Sequence, residues 1–326
     1  MRRIARLLCL AALMAPQPAL AQSRAERAER AERDGARAAR VDALAPPEDP
    51  SPGAGLAPDS PDGRPAWTMD LLLPVYFNSN PEKLPRRARG TGEATPELRV
   101  GWSTRLARLP VQLSALADVS NDRFGRASAA DADIVYLRFR AQYDTGEDDQ
   151  EFKPFLDIQP TREFAPGFAS RLESRLDVDA GFTVQANLDR ALRRLPRSPD
   201  SSAATFVTLG LNASVQRRWR SPFTSSVALI ANPSLTLTLA PNLGVSLELE
   251  VTRRIFDEVP EGRRRDWLVT PVLTLEWAPR IEGWPPAAGQ PAIALQVFGS
   301  RQRSNRRAFD HDQWGAGPVL RTSWRF

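Results

Sequence analysis

The sequence predicts an all-β protein, a closed antiparallel transmembrane β-barrel of about twelve strands preceded by a disordered or partly helical leader. Three observations carry this. From Trp67 to Phe326 apolar residues recur at every second position in one run after another; the positions between them carry arginine, glutamate and aspartate; and tryptophan and phenylalanine gather at the ends of the apolar runs. No stretch approaches the roughly 18 consecutive apolar residues that a membrane-crossing helix needs.

Composition narrows the function classes. The 326 residues are 42 % hydrophobic and 25 % charged, which suffices for one large domain or two small ones and argues against a wholly disordered chain. Lys and Arg (44) nearly balance Asp and Glu (39), so a polyanion finds no strong basic excess and nucleic acid is not an expected partner. Cys9 is the only cysteine and His311 the only histidine. With residue 9 in a removable segment, thiolate chemistry, disulfides and Cys or multi-His metal centres drop out. No cofactor and no metal ion are expected.

The chain begins with an address. Arg2, Arg3 and Arg6 accompany a short apolar stretch over residues 4–15, and Ala19-Leu20-Ala21 before Gln22 is a small-x-small cleavage site, so residues 1–21 resemble a bacterial Sec signal peptide. Pro16 and Pro18 interrupt the run before it could span a bilayer, and Leu8 stands before Cys9 where a lipoprotein signal carries a small residue. Cleavage removes three arginines and no acid, leaving 41 basic against 39 acidic side chains. Residues 22–66 form the leader. Ala-Glu-Arg repeats over Ala25 to Arg33, with Glu and Arg too evenly spread to leave an apolar face, and a Pro-, Asp- and Gly-rich tract follows from Ala45 to Pro65. This reads as a flexible periplasmic tether, too short for a secreted passenger domain; the alternative is a helix that plugs a pore or touches a partner.

The barrel domain spans 67–326, and its strands follow from period-two alternation. Trp67, Met69, Leu71, Leu73, Val75 and Phe77 share the first apolar face. Leu98, Val100, Trp102, Thr104 and Leu106 form the second, Val111, Leu113, Ala115, Ala117 and Val119 the third, and Val135, Leu137, Phe139, Ala141 and Tyr143 the fourth. Phe152, Leu156 and Ile158 mark a weaker fifth. Leu172, Leu176, Val178, Ala180, Phe182 and Val184 mark a long sixth, and Val207, Leu209, Leu211 and Val215 the seventh. Val227 to Leu239, the turn Pro241-Asn242-Leu243-Gly244 and Leu247 to Val251 make the clearest hairpin, strands eight and nine. Trp267 to Trp277, Ile293 to Val297 and Trp314 to Phe326 complete twelve.

A soluble sandwich alternates too, so the opposite face decides. Arg99, Arg105, Arg138, Arg140, Glu173, Arg175, Asp177, Glu248, Glu250 and Arg321 lie there, whereas Trp67, Phe77, Trp267, Trp277 and Phe326 sit at the ends of the apolar face. Aromatic belts at both ends of an apolar stripe fit a lipid-facing exterior. Closure follows, because an open edge in hydrocarbon leaves backbone groups unpaired at several kcal/mol each.

At the C-terminus Leu320, Thr322, Trp324 and the final Phe326 alternate, and this pattern resembles the terminal β-signal of Gram-negative outer-membrane β-barrel proteins. With the signal peptide, the resemblance covers the chain outside residues 22–66. It implies the outer membrane as location, the leader in the periplasm, outer-membrane lipid as surroundings and the barrel-assembly machinery as reader of the last strand. It does not identify a member; barrels of this size include passive channels, solute-specific channels, a phospholipase and structural proteins. Pro74, Pro154, Pro160, Pro233, Pro271 and Pro318 fall inside strand candidates, so the sequence predicts bulges or displaced boundaries there.

No catalytic residue is expected and the chain does not read as an enzyme. His311, between Asp310 and Asp312, has the carboxylate neighbours of an oriented general base, but the surrounding 305–313 run reads as a solvated surface connection. The outer-membrane phospholipase family carries serine two residues after its histidine; here that residue is Gln313. The acidic run Glu147 to Glu151 lacks the glycine and spacing of a calcium loop and reads as a solvated turn. Arg263-Arg264-Arg265 and the arginines between 301 and 307 are candidate contacts for lipopolysaccharide phosphates if they face outward, a plain solvated loop being the alternative.

The interior is where function is expected. The lumen-lining set is Arg99, Arg105, Arg138, Arg140, Glu173, Arg175, Asp177, Glu248, Glu250, Glu276 and Arg321. A ring of twelve strands puts Arg99, Arg105, Arg138, Arg140, Arg321 and Arg325 roughly opposite Glu248, Glu250 and Glu276, and such walls set a transverse field that orients polar or zwitterionic solutes. The expected function is a narrow channel for passive diffusion of such solutes. Alternatives are a barrel filled by its own side chains with a structural or interaction role, favoured by Asp70 and Asp118 on the basic side, and, more remotely, an outer-membrane hydrolase.

Overall fold

The computed structural model describes residues 65–81, 83, 90–106, 109–144, 152–187, 206–240, 242–257, 262–279, 281 and 283–326. The expected signal peptide, the expected leader as far as residue 64, the acidic run 147–151 and residues 188–205 lie outside the described residues.

Each alternating run is a strand, and the twelve occur in the expected order. They are β1 (Ala66–Asn78), β2 in two segments (Thr91–Ala94 and Glu97–Arg105), β3 (Val111–Phe124), β4 (Ala132–Tyr143), β5 (Phe152–Phe164) and β6 (Arg171–Asn187). Then come β7 (Phe206–Ser221), β8 (Ser226–Ala240), β9 (Leu243–Phe256), β10 (Arg265–Trp277), β11 (Gln290–Ser304) and β12 (His311–Arg325). Every strand pairs antiparallel with its sequence neighbours, and β12 pairs with β1 from Thr68↔Arg325 to Asn78↔Gly315. The sheet therefore closes and exposes no edge. Backbone bonds from Phe326 N to the Trp67 carbonyl (2.9 Å) and from Trp67 N to the Phe326 carbonyl (3.2 Å) finish the seam.

The prolines interrupt ladders without breaking strands. Pro160, Pro233 and Pro271 keep register with β6, β7 and β9 at Leu176, Leu211 and Leu249. On their other sides the ladder skips: Tyr136↔Thr161 is followed by Phe139↔Ile158, Glu248↔Ser234 by Val251↔Ala231, and Val269↔Arg301 by Val272↔Phe298. A residue without an N–H loses bonds on one side only, so a gap in one ladder is the whole consequence. Thr95 and Pro96 split β2, yet the backbone stays bonded from Thr95 N to the Pro74 carbonyl (3.0 Å) and from Asn121 N to the Pro96 carbonyl (3.0 Å).

Two glycines of β12 make room for a clasp across the seam. Tyr76 of β1 reaches over β12 to β11, where its hydroxyl donates to Gln296 Oε1 (2.5 Å) and its ring meets Phe298 edge-on with centroids 5.3 Å apart. A Cβ at Gly315 would strike the Phe298 ring, and one at Gly317 would overlap the Val75 carbonyl oxygen. The inward face of β12 is therefore bare where β1 and β11 rings cross it.

The faces are sorted as the lipid-facing reading requires. Leu71, Leu73, Val75, Leu156, Leu209, Leu229, Leu247, Leu273 and Leu295 are exposed on the exterior, while Asp157, Asp177, Asp179, Arg218, Thr252 and Asp266 are buried on the interior. The exterior carries an aromatic belt at each end. At the end that holds β1's beginning and β12's end, Trp67 packs on Trp102 and Phe152 on Phe182, with Trp277 and Phe326 exposed. At the opposite end Phe77 packs on Trp314, with Trp219 and Trp267 exposed. An exterior that is oily at mid-height and aromatic at both rims has the free-energy profile of a bilayer, not of water. Among the described residues no helix is long and apolar enough to cross a membrane.

Candidate functional site

The candidate site is the charged interior. Inward positions are those left over when the apolar set faces out, and cross-strand register decides which of them meet. Arg140 stands opposite Asp157 between β4 and β5. Asp157 is fully buried; it accepts from Arg140 Nε and Nη2 (2.7 Å each) and from Arg138 Nη2 (2.8 Å). Arg140 also lies over the Phe155 ring at 4.1 Å. Two adjacent guanidiniums thus share one carboxylate, a geometry in which that carboxylate neutralises the repulsion between them.

The pattern repeats around the wall. Asp177 of β6 receives Arg218 of β7 through both oxygens (2.8 and 2.9 Å) and Arg175 of its own strand (3.1 Å). Glu173 takes Arg220 bidentately at 2.7 Å. Asp179 accepts from Gln159 (3.2 Å) and Gln216 (3.1 Å), which links β5, β6 and β7. Arg99 bonds Asp118 of β3 (3.0 Å) and Glu97, and Arg105 lies 3.4 Å from Asp144. Arg321 of β12 reaches across β11 to Glu276 of β10 (2.7 Å). Glu250 accepts from Thr252 (2.9 Å), and Glu248 is buried with Oε2 accepting no hydrogen bond among the described residues.

This corrects the expected opposition of a basic and an acidic wall. Arg99 and Arg321 are each paired with a carboxylate on the next strand or the one beyond, and Arg138 and Arg140 share Asp157, so their charge is met first by carboxylates within hydrogen-bond distance and not by the far wall. The reason is register. Asp157 and Asp118 occupy the same polar faces as the arginines, one strand away, and a charge interacts far more strongly at 3 Å than across a barrel. Arg325 is exposed at the end of β12.

The opposite end collects the residues singled out for chemistry, in an arrangement the sequence did not suggest. His311 is not in a solvated connection. It opens β12 on the inward face, 3 % exposed, with Nδ1 3.4 Å from the Phe309 carbonyl oxygen. Its sequence neighbours turn away: Asp310 accepts from Ser304 N (2.7 Å), and Asp312 points outward to Arg303 (2.8 Å). Neither carboxylate orients the imidazole. Gln313 donates to Asn78 Oδ1 (3.1 Å), which ties β12 to β1 beside the Asn78–Glu93 bond (2.7 Å).

The arginine clusters split likewise. Arg264 points inward, paired with Asp266 and stacked on Phe309 (3.5 Å) and Phe256 (4.1 Å). Arg265, Arg301 and Arg303 face outward. Two outward arginines that the sequence reading passed over join them: Arg217, bidentate to Asp257 (2.8 Å twice), and Arg253. Their signal was a charged residue at an apolar-phase position near a strand end. Leu320, Thr322, Trp324 and Phe326 share the outward phase of β12, and Trp324 Nε1 donates to the Ala287 carbonyl (3.0 Å). Among the described residues no group of His, Cys, Asp and Glu is arranged to hold a metal ion.

No protein-family model matches the chain, and no curated protein does. Among solved structures, an outer-membrane channel from Pseudomonas putida is similar over 85 % of this chain and 100 % of its own, with a TM-score of 0.46 and 10 % identity. The translocator domain of autotransporter NalP from Neisseria meningitidis is similar over 92 % and 98 %, with a TM-score of 0.41 and 10 % identity. The β domain of the Bordetella autotransporter BrkA is similar over 80 % and 99 %, with a TM-score of 0.38 and 11 % identity.

Proposed function

We propose that this protein is an outer-membrane barrel of a Gram-negative bacterium, a narrow channel that passes small polar or zwitterionic solutes by diffusion and performs no catalysis. The observation that carries this is the interior of adjacent ion pairs inside an apolar exterior. A guanidinium and a carboxylate held side by side and open to the axis, as at Arg321 and Glu276, whose side chains are 18 % and 36 % exposed, offer a passing zwitterion a counter-charge for each of its ends. The apolar, aromatic-rimmed exterior supports the membrane location. The alternating Leu320, Thr322, Trp324 and Phe326 support reading of the last strand by the barrel-assembly machinery, and in this proposal the leader lies on the periplasmic side, where the first strand begins and the last one ends.

Planar-bilayer recording on refolded protein tests the proposal. Discrete conductance steps are expected. A folded, inserted and silent protein would instead support the second reading, a barrel filled by its own side chains. That reading is favoured by the complete burial of Asp157, Asp177 and Asp179 on the interior.

A further inference from the structure

Arginines are not confined to the interior. Arg217 on β7, Arg253 on β9, Arg265 on β10 and Arg301 and Arg303 on β11 all take the outward phase at the opposite end of the barrel. Register places three residues in one rung, since Arg253 pairs with Trp267 and Trp267 with Arg303. With neighbouring strands about 4.8 Å apart, the two guanidinium-bearing positions bracket the indole at roughly 10 Å from each other. The Arg253 guanidinium lies 5.4 Å from the Trp267 ring centre and Arg217 lies 5.5 Å from that of Trp219, so both are held along the surface. Arg301 is 69 % exposed.

Acids facing this patch do not neutralise it. Asp257 engages Arg217, and Asp312 engages Arg303 at 2.8 Å and Arg301 at 3.7 Å. Arg253 and Arg265 have no carboxylate partner among the described residues. The patch sits directly beyond Val251, Val269 and Val297 on the same outward faces, with Trp219 and Trp267 at its level. Tryptophan settles at the depth of lipid headgroups, so the arginines are presented where headgroup phosphates lie, not in free solution.

We propose that this outward arginine–tryptophan patch binds a phosphorylated glycolipid of the outer leaflet, lipopolysaccharide, through its lipid A phosphates, with the acyl chains against the valines below. Guanidinium binds phosphate bidentately, and Arg253 beside the Trp267 indole, with Arg265 on the same strand as that indole, offers phosphate sites flanking an apolar face. The proposal rests on the outer-membrane placement given above; folding and conductance of each variant test that placement separately.

The full-length protein, refolded in detergent with lipopolysaccharide and passed over a sizing column, is assayed for retained lipid by native mass spectrometry. Wild type is expected to retain it. Arg253→Gln/Arg265→Gln/Arg301→Gln is expected to lower retention by about tenfold or more, and Arg301→Gln alone, which removes an exposed side chain whose one ion pair, to Asp312, is itself exposed, by a smaller factor. Arg162→Gln, at an exposed outward position of β5 away from the patch, is the matched control and leaves retention unchanged. Lipopolysaccharide stripped of its lipid A phosphates, or phosphatidylcholine, is retained weakly. Equal retention by wild type and the variants, an equal loss in Arg162→Gln, or undiminished binding of the dephosphorylated lipid would each overturn the proposal.

Discussion

Replacing Asp157 by asparagine removes the one negative charge that Arg138 and Arg140 share. The variant keeps the side chain's shape and leaves two guanidiniums side by side on the inner wall, where Asp157 is fully buried and Arg138 and Arg140 are each 8 % exposed. Three charge-assisted hydrogen bonds of 2.7–2.8 Å become weaker bonds to an amide. One-sided removal of a buried ion pair costs about 3–5 kcal/mol. Water within a barrel softens the repulsion, so we take about 3 kcal/mol, roughly a hundredfold in the folding equilibrium. Urea unfolding of the refolded protein in detergent, followed by fluorescence of its eight tryptophans, reads this directly. The midpoint of Asp157→Asn is expected to fall by on the order of 1 M with an unchanged slope. The variant Arg138→Gln/Arg140→Gln/Asp157→Asn, which removes both signs, is expected to recover most of the loss. An unshifted midpoint in the single variant, or no recovery in the triple, would refute the pairing.

Other consequences follow from the same geometry. Gly317→Ala puts a methyl group into the Val75 carbonyl and is expected to cost about 1–3 kcal/mol and to lower the yield of heat-modifiable folded barrel, whereas Gly92→Ala, facing open space, has no such effect. Arg138→Gln/Arg140→Gln leaves Asp157 unneutralised on the wall, so the reversal potential in a KCl gradient is expected to shift toward cation preference; an unchanged potential removes these residues from the conducting path. Beyond the end of β9, the hydrogen bonds from Arg217 hold the Asp257 carboxyl below the ordinary carboxylate range, although partial burial opposes them. The stability this gives is complete above the unfolded value of about 3.9 and is lost as pH falls through the lower folded value. Because the pair is exposed, its size is about 0.2–1 kcal/mol. The stability difference between wild type and Asp257→Asn is expected to be constant at neutral and mildly acidic pH and to vanish in strong acid; a difference that persists there would contradict the assignment.

Strand number and facing were legible because the pleat imposes a period of two on any sheet with one oily side, and the run Leu172 to Val184 shows it plainly. Strand ends were less so. Thr91–Ala94 alternates too briefly to stand out, and Thr95-Pro96 separates it from the rest of β2. The prolines read as threats to continuity because the sequence does not say which of two ladders a missing donor belongs to. Interior pairing was hidden for a different reason. Whether Asp157 meets Arg140 or slips past it depends on the register in which β4 and β5 pair, and composition alone invites comparison of walls in place of neighbours. His311 was misread because its polar sequence surroundings belong to both faces of a strand's first residues, Asp312 facing out and His311 in.

If the apolar face of each strand meets acyl chains while the polar face lines an enclosed axis, single cysteines along β6 will report it, since the sequence has only Cys9, in the segment expected to be signal peptide. In proteoliposomes, Thr183→Cys and Gln185→Cys are expected to react with a water-soluble maleimide. Val178→Cys, Ala180→Cys and Val184→Cys are expected to resist it and, when carrying a fluorophore, to be quenched by brominated lipid. Uniform reactivity along the strand, or quenching at the Thr183 and Gln185 positions, would show that the two faces are not divided between lipid and an enclosed axis.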